Sequence, residues 1–138
     1  MKWIKSFFQL SGSEKILLFE AVYYLYLAKI SIQIFSFKKI VKYLSKETKD
    51  NISPEPELLR NIKFAVSRAN KLAFWNNVCL VKSLAARKLL HKRRISSRIY
   101  LGLRFENDKK LSAHAWLVCD GFFITPRGDI QFKEIMSF

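Results

Sequence analysis

Glycine and proline are scarce here, four and three in 138 residues. So few glycines leave no phosphate-cradling Gly-rich loop, and the low content of both excludes a collagen-like or low-complexity chain. Two cysteines, Cys79 and Cys119, cannot build the disulfide frame of a small secreted domain, so a reducing, cytoplasmic setting is expected. With only two histidines beside them, spread over 40 residues, closely spaced zinc ligands are also lacking, and no metal site is expected. An uninterrupted apolar span is missing too. The longest run, Ile16 to Phe35, is broken by Glu20 and Lys29, which favours a buried helix over a membrane span. No small-residue cleavage site follows it, so no signal peptide is expected.

Acidic residues are in deficit. Eleven face 25 Lys and Arg, for a net charge of +14. The excess is even, 13 basic against 6 acidic residues before Cys79 and 12 against 5 from it onward. No basic arm has therefore been added to a neutral domain. Such a field favours acidic peptides, anionic lipid or nucleic acid as neighbours without specifying a fold. Lys82, Arg87, Lys88, Lys92, Arg93, Arg94 and Arg98 form the densest cluster, and a nucleic-acid-binding module is the alternative reading it supports. No nucleic-acid motif accompanies the cluster, so a solvated face or a protein-docking patch is preferred, and no nucleic-acid partner is expected. Trp3, Phe7, Phe8 and Leu10, mixed with Lys2 and Lys5, leave room for peripheral membrane contact.

What is present is a core. Half the residues are apolar and 14% aromatic, enough for one domain over 1–138. Leu17, Leu18, Ala21, Val22, Leu25, Ala28 and Ile32 recur at helical spacing behind Ser11 and Ser13 as caps. Further helices are expected over 37–44, over 54–72 with Ser53 as cap, and from Cys79 to Leu90. After His91 to Arg94 the period becomes alternating. Strands are expected at 98–105, 112–119 and 122–125, the last two joined by a tight Asp120-Gly121 turn. Helices first (1–72) and an antiparallel meander within 73–138 indicate the α+β class.

Chemistry narrows to few residues. Cys79 falls at a helix start, where the macrodipole and unpaired N–H groups favour a thiolate, and His114 falls mid-strand. A thiol beside an imidazole is an activated nucleophile; a buried small hydrophobe and a hydrogen-bonded core histidine are the plainer alternative. His114, Trp116 and Val118 share one strand face, so Cys119 points to the other as a packing residue. His91 reads as a solvated cation at a helix end. Trp75 and Trp116 are either walls of a peptide groove or core aromatics. Asn76 and Asn77 are either helix caps or donors to an oxyanion beside the Cys79 N–H.

Three segments carry a resemblance: Phe74-Trp75-Asn76-Asn77-Val78-Cys79-Leu80, Ile95-Ser96-Ser97-Arg98-Ile99-Tyr100-Leu101-Gly102, and Ser112-Ala113-His114-Ala115-Trp116-Leu117-Val118-Cys119-Asp120-Gly121. In this order they resemble the lasso peptide biosynthesis B2 proteins, transglutaminase-like cysteine proteases, and Leu18-Phe19-Glu20-Ala21 and Phe37-Lys38-Lys39-Ile40 are similar to the same family's N-terminal pattern. The resemblance implies a papain/transglutaminase-like core, with a helix bearing the Cys, a sheet bearing the His and a helical N-terminal part. It implies a leader peptidase acting on a ribosomally made precursor peptide, with Cys79 as nucleophile, His114 as base and then acid, and no cofactor. Its expected partners are a separate leader-binding protein and an ATP-using cyclase. The resemblance also implies an acid on the strand after the turn. Two-residue-turn register sets Arg127 opposite His114, so Asp129 is the acid of choice. Asp120, some 20 Å away along an extended strand, is the alternative.

Overall fold

Four helices and a four-stranded antiparallel sheet make up the computed structural model, which describes residues 8–9, 12–45, 54–72, 79–105, 111–125 and 133–138. The helices are α1 (Gly12–Ile34), α2 (Phe37–Ser45), α3 (Pro56–Lys71) and α4 (Cys79–Lys92). The strands are β1 (Arg98–Phe105), β2 (Leu111–Cys119), β3 (Phe122–Phe123) and β4 (Lys133–Ser137).

Apolar spacing decides where each helix sits. On α3, Leu59, Ile62, Ala65, Val66 and Ala69 form one buried stripe, while the opposite side carries charge. Helix α4 is buried nearly all round, through Val81, Leu84, Ala85, Ala86, Leu89 and Leu90. A helix apolar on every side belongs at a centre, and α4 packs against α1 and α3 on one side and the sheet on the other. The alanines at Ala21, Ala28, Ala65, Ala69, Ala85 and Ala86 are all buried, so these axes can approach closely. Helix α1 is long and apolar enough to cross a membrane by length and composition. Its Leu17, Leu18, Ala21, Leu25 and Ala28 are nonetheless buried inside the domain, while Phe19, Tyr23, Ile30 and Ile34 stay exposed.

Helix ends differ from the expected bounds by local chemistry. Helix α3 begins at Pro56, not Pro54, behind Glu55 in an extended conformation without a side-chain cap bond; the Ser53 cap lies outside the described residues. Helix α4 runs on to Lys92 and closes with Ile95 N–H donating to Leu90 O at 3.0 Å and Arg94 N–H to His91 O at 2.9 Å. This is the Schellman pattern, whose left-handed residue is usually glycine. Here Arg94 takes it at φ 61.

Strand order is β3-β2-β1-β4. Asp120 and Gly121, at φ 50 and 79, make the left-handed pair of a type I′ turn, as the sequence predicts. The third strand is shorter than expected, ending at Phe123. Strand β4, which alternation did not indicate, crosses to the far side and pairs with β1. Phe138 anchors it by exchanging two backbone bonds with Ile99, at 2.7 and 2.9 Å. The sheet is therefore not a simple meander.

Candidate active site

Cys79 is the first residue of α4, and His114 lies in β2 opposite Gly102 of β1. Both positions agree with the sequence reading. Alternation then poses a problem, because Ala115, Leu117 and Cys119 face the core and α4, which puts His114 and Trp116 on the other face.

The sheet edge resolves it. Leu117 bonds away from β1: its carbonyl accepts Ile124 N–H at 2.9 Å, and its N–H donates to Thr125 Oγ1 at 2.8 Å. Two residues earlier on the same strand, Ala115 N–H points the same way. No carbonyl of β3 receives it; Ala115 N–H donates to Cys79 Sγ at 3.3 Å. Among the described residues, the sulfur thus takes the position at the edge of β2 where a next strand would bond. The Cα of His114 is about 2.4 Å from the Ala115 nitrogen by covalent geometry. It therefore lies within about 6 Å of Sγ, a span that an imidazole can bridge.

Aromatic stacking fixes the histidine from behind. The Trp116 ring lies 5.9 Å from His114 at an interplanar angle of 23°, and Tyr100 stacks on Trp116 at 5.9 Å and 9°. Trp116 is only 3% exposed, so it backs the imidazole and does not present an open wall to a peptide. Trp75, the other expected groove wall, and Asn77, the expected cap or oxyanion donor, lie outside the described residues, as does Asp129. Asp120 is in the turn beyond the C-terminal end of β2, remote from His114.

Cys119 behaves as the packing residue expected of it. It is 1% exposed and its thiol donates to Ser96 O at 3.4 Å. Burial, with the Asp120 charge adding to it, pushes that thiol up to about 11. His91 closes the last turn of α4. Among the described residues no cluster of His, Cys, Asp or Glu could hold a metal.

Two residues escaped the sequence reading. Ser83, one turn after Cys79, is fully buried, with its Oγ 3.0 Å from Thr125 Oγ1, and Thr125 is 3% exposed. A serine within a Leu-Ala helix and a threonine at the end of an expected strand read as ordinary helix and strand residues. Only the topology brings the pair together.

A thiol at a helix start, bonded to the residue directly after a strand histidine, is an arrangement that can form and hydrolyse an acyl-sulfur bond. Comparison with known proteins agrees with that chemistry. No curated protein and no solved structure matches the chain. A protein family does, the one described as the transglutaminase-like superfamily, over residues 23–137. That match spans most of the helical part and the whole site, so this chain belongs to the transglutaminase-like superfamily, typically a cysteine peptidase fold with catalysis of the cysteine protease or transglutaminase type.

Proposed function

We propose that the protein is a cysteine peptidase that removes the leader from a ribosomally synthesised lasso precursor peptide in the cytoplasm. The observation that carries the reading is the Cys79 Sγ accepting the amide of Ala115, the residue directly after His114. The ordered motifs around Trp75, Cys79, His114, Trp116 and Asp120-Gly121 support the choice of substrate.

The steps need nothing beyond this chain, the peptide and water. His114 takes the thiol proton, and Sγ attacks the scissile carbonyl. The Cys79 backbone N–H, at the helix start, faces the developing oxyanion. The imidazolium then protonates the leaving amine, and the thioester forms. Water, deprotonated by His114, attacks the thioester, and the thiol is restored. A separate leader-binding protein presents the precursor, and a cyclase consumes the freed core peptide. The basic surface, +14 overall, suits docking of an acidic segment from either.

The test is precursor cleavage reconstituted with the leader-binding protein. Cys79→Ala and His114→Ala should each abolish it while circular dichroism stays native; persistent cleavage by either variant rejects the reading. Asp129→Ala and Glu134→Ala, the latter level with His114 across Gly102, should cost more than Asp120→Ala, whose carboxylate is held at the turn.

A further inference from the structure

Helix α4 meets the edge of β2 at two matched points. Cys79 Sγ takes the Ala115 N–H, and Ser83 reaches the Leu117 N–H through Thr125 Oγ1. Four residues of helix rise about 6 Å, and two residues of strand advance about 6.8 Å. The repeats nearly coincide, so the helix can lie along the strand edge with both points made at once. The second point is dry: Ser83 is 0% and Thr125 3% exposed. A hydroxyl pair sealed at such a position has few ways to rearrange, because each lost bond strands a buried polar group.

We propose that Thr125, with Ser83, is a positioning pair that sets the height of the Cys79 sulfur along β2 and so aligns it with His114. The inference rests on Cys79 being the nucleophile. Thr125 substitutes a side-chain oxygen for the backbone that β3 would otherwise supply. That exchange ends β3 early and leaves the next edge position, at Ala115, to the sulfur. Neither hydroxyl touches substrate. Their effect passes through Sγ, and a misplacement of about 1 Å in a reacting group can cost about 100-fold in rate.

The experiment is carbamidomethylation of Cys79 by iodoacetamide at neutral pH, followed by peptide mass spectrometry on the full chain, with glutathione as the free-thiol reference. Thr125→Val keeps the shape and removes both bonds; it should slow Cys79 by roughly 10- to 100-fold. Thr125→Ser should restore a rate close to wild type. Leu17→Ala, buried on α1 near the Glu20–Arg93 pair at the opposite end of α4 from Cys79, should lower the melting temperature yet leave the rate unchanged, which separates alignment from general loss of stability. If Thr125→Val does not fold, Ser83→Ala, which keeps a partner for Leu117 N–H, should still slow the reaction several-fold. An unchanged or faster rate in the folded variant overturns the proposal. Wild-type Cys79 reacting no faster than glutathione overturns the nucleophile reading and the pair with it. A fast wild type with an equally fast Thr125→Val overturns the pair alone. In the cleavage assay the same variant should lower kcat and leave KM in place.

Discussion

The helical interior and the seam between α4 and β2 are built by opposite means. Between α1, α3 and α4 the buried surface is nearly all Leu, Ile, Val and Ala. At the seam a thiol and two hydroxyls are buried or half-buried and joined by directed bonds of 2.8 to 3.3 Å. Apolar packing is forgiving in direction and scales with area. Hydrogen bonds are directional, and a buried polar group without its partner is costly. The first region holds the fold, and the second holds one atom in place.

Variants in the two regions should therefore fail differently. The largest expected effect is at the seam and is catalytic: Cys79→Ala should lower the cleavage rate by about 10,000-fold or more, with the fold intact and a stability loss of about 1 kcal/mol for the lost Ala115 bond. Leu89→Ala, fully buried in α4, should do the reverse. It should cost about 2–5 kcal/mol in denaturant unfolding, while folded protein keeps its Cys79 reactivity. A large rate loss per folded molecule in Leu89→Ala would erase the distinction.

Cys119 offers an alkaline test. Its thiol is raised from about 9 to about 11 by burial first and the Asp120 charge second. The protonated form is favoured in the fold, so the associated stability is complete below about pH 9 and is lost as pH rises through 11. Cys119→Ala should flatten that alkaline fall in unfolding free energy, and an unchanged slope would contradict it.

The smallest effects fall outside both regions. Arg94→Gly relieves the left-handed strain at the end of α4 and should raise stability by about 0.5–1 kcal/mol. Glu20 bonds Arg93 at 3.2 and 3.3 Å and pairs with Lys92 at 3.4 Å. Burial opposes its ionisation, but the two cations prevail and hold its carboxyl below the usual carboxylate value. Its contribution is present above the ordinary carboxylate pKa and fades as pH falls through the lowered one. The pair is partly exposed, so Glu20→Gln should cost less than about 1 kcal/mol, checked by urea unfolding at neutral and acid pH.

Much of this was legible in the chain. Helical spacing placed α1 and α3, the shift to alternation placed β1 and β2, and Asp120-Gly121 fixed the turn between β2 and β3. Cys79 at a helix start and His114 mid-strand followed from the same patterns. Other features depend on distant partners. Lys133-Glu134-Ile135-Met136-Ser137 has weak alternation, and its pairing with β1, some 30 residues earlier, leaves no local mark. Ser83 and Thr125, 42 residues apart, each look unremarkable until the seam forms. Arg94 occupies a position where glycine would have signalled the helix end. The placement of Sγ at the sheet edge was hidden for another reason: alternation assigns side chains to faces, and an edge is neither.

The most direct measurement compares iodoacetamide modification of Cys79 in the wild type and in His114→Ala at neutral pH. The account predicts that wild-type Cys79 outpaces glutathione and that removing the imidazole slows it by roughly 10-fold or more. Equal rates in the two proteins would contradict it.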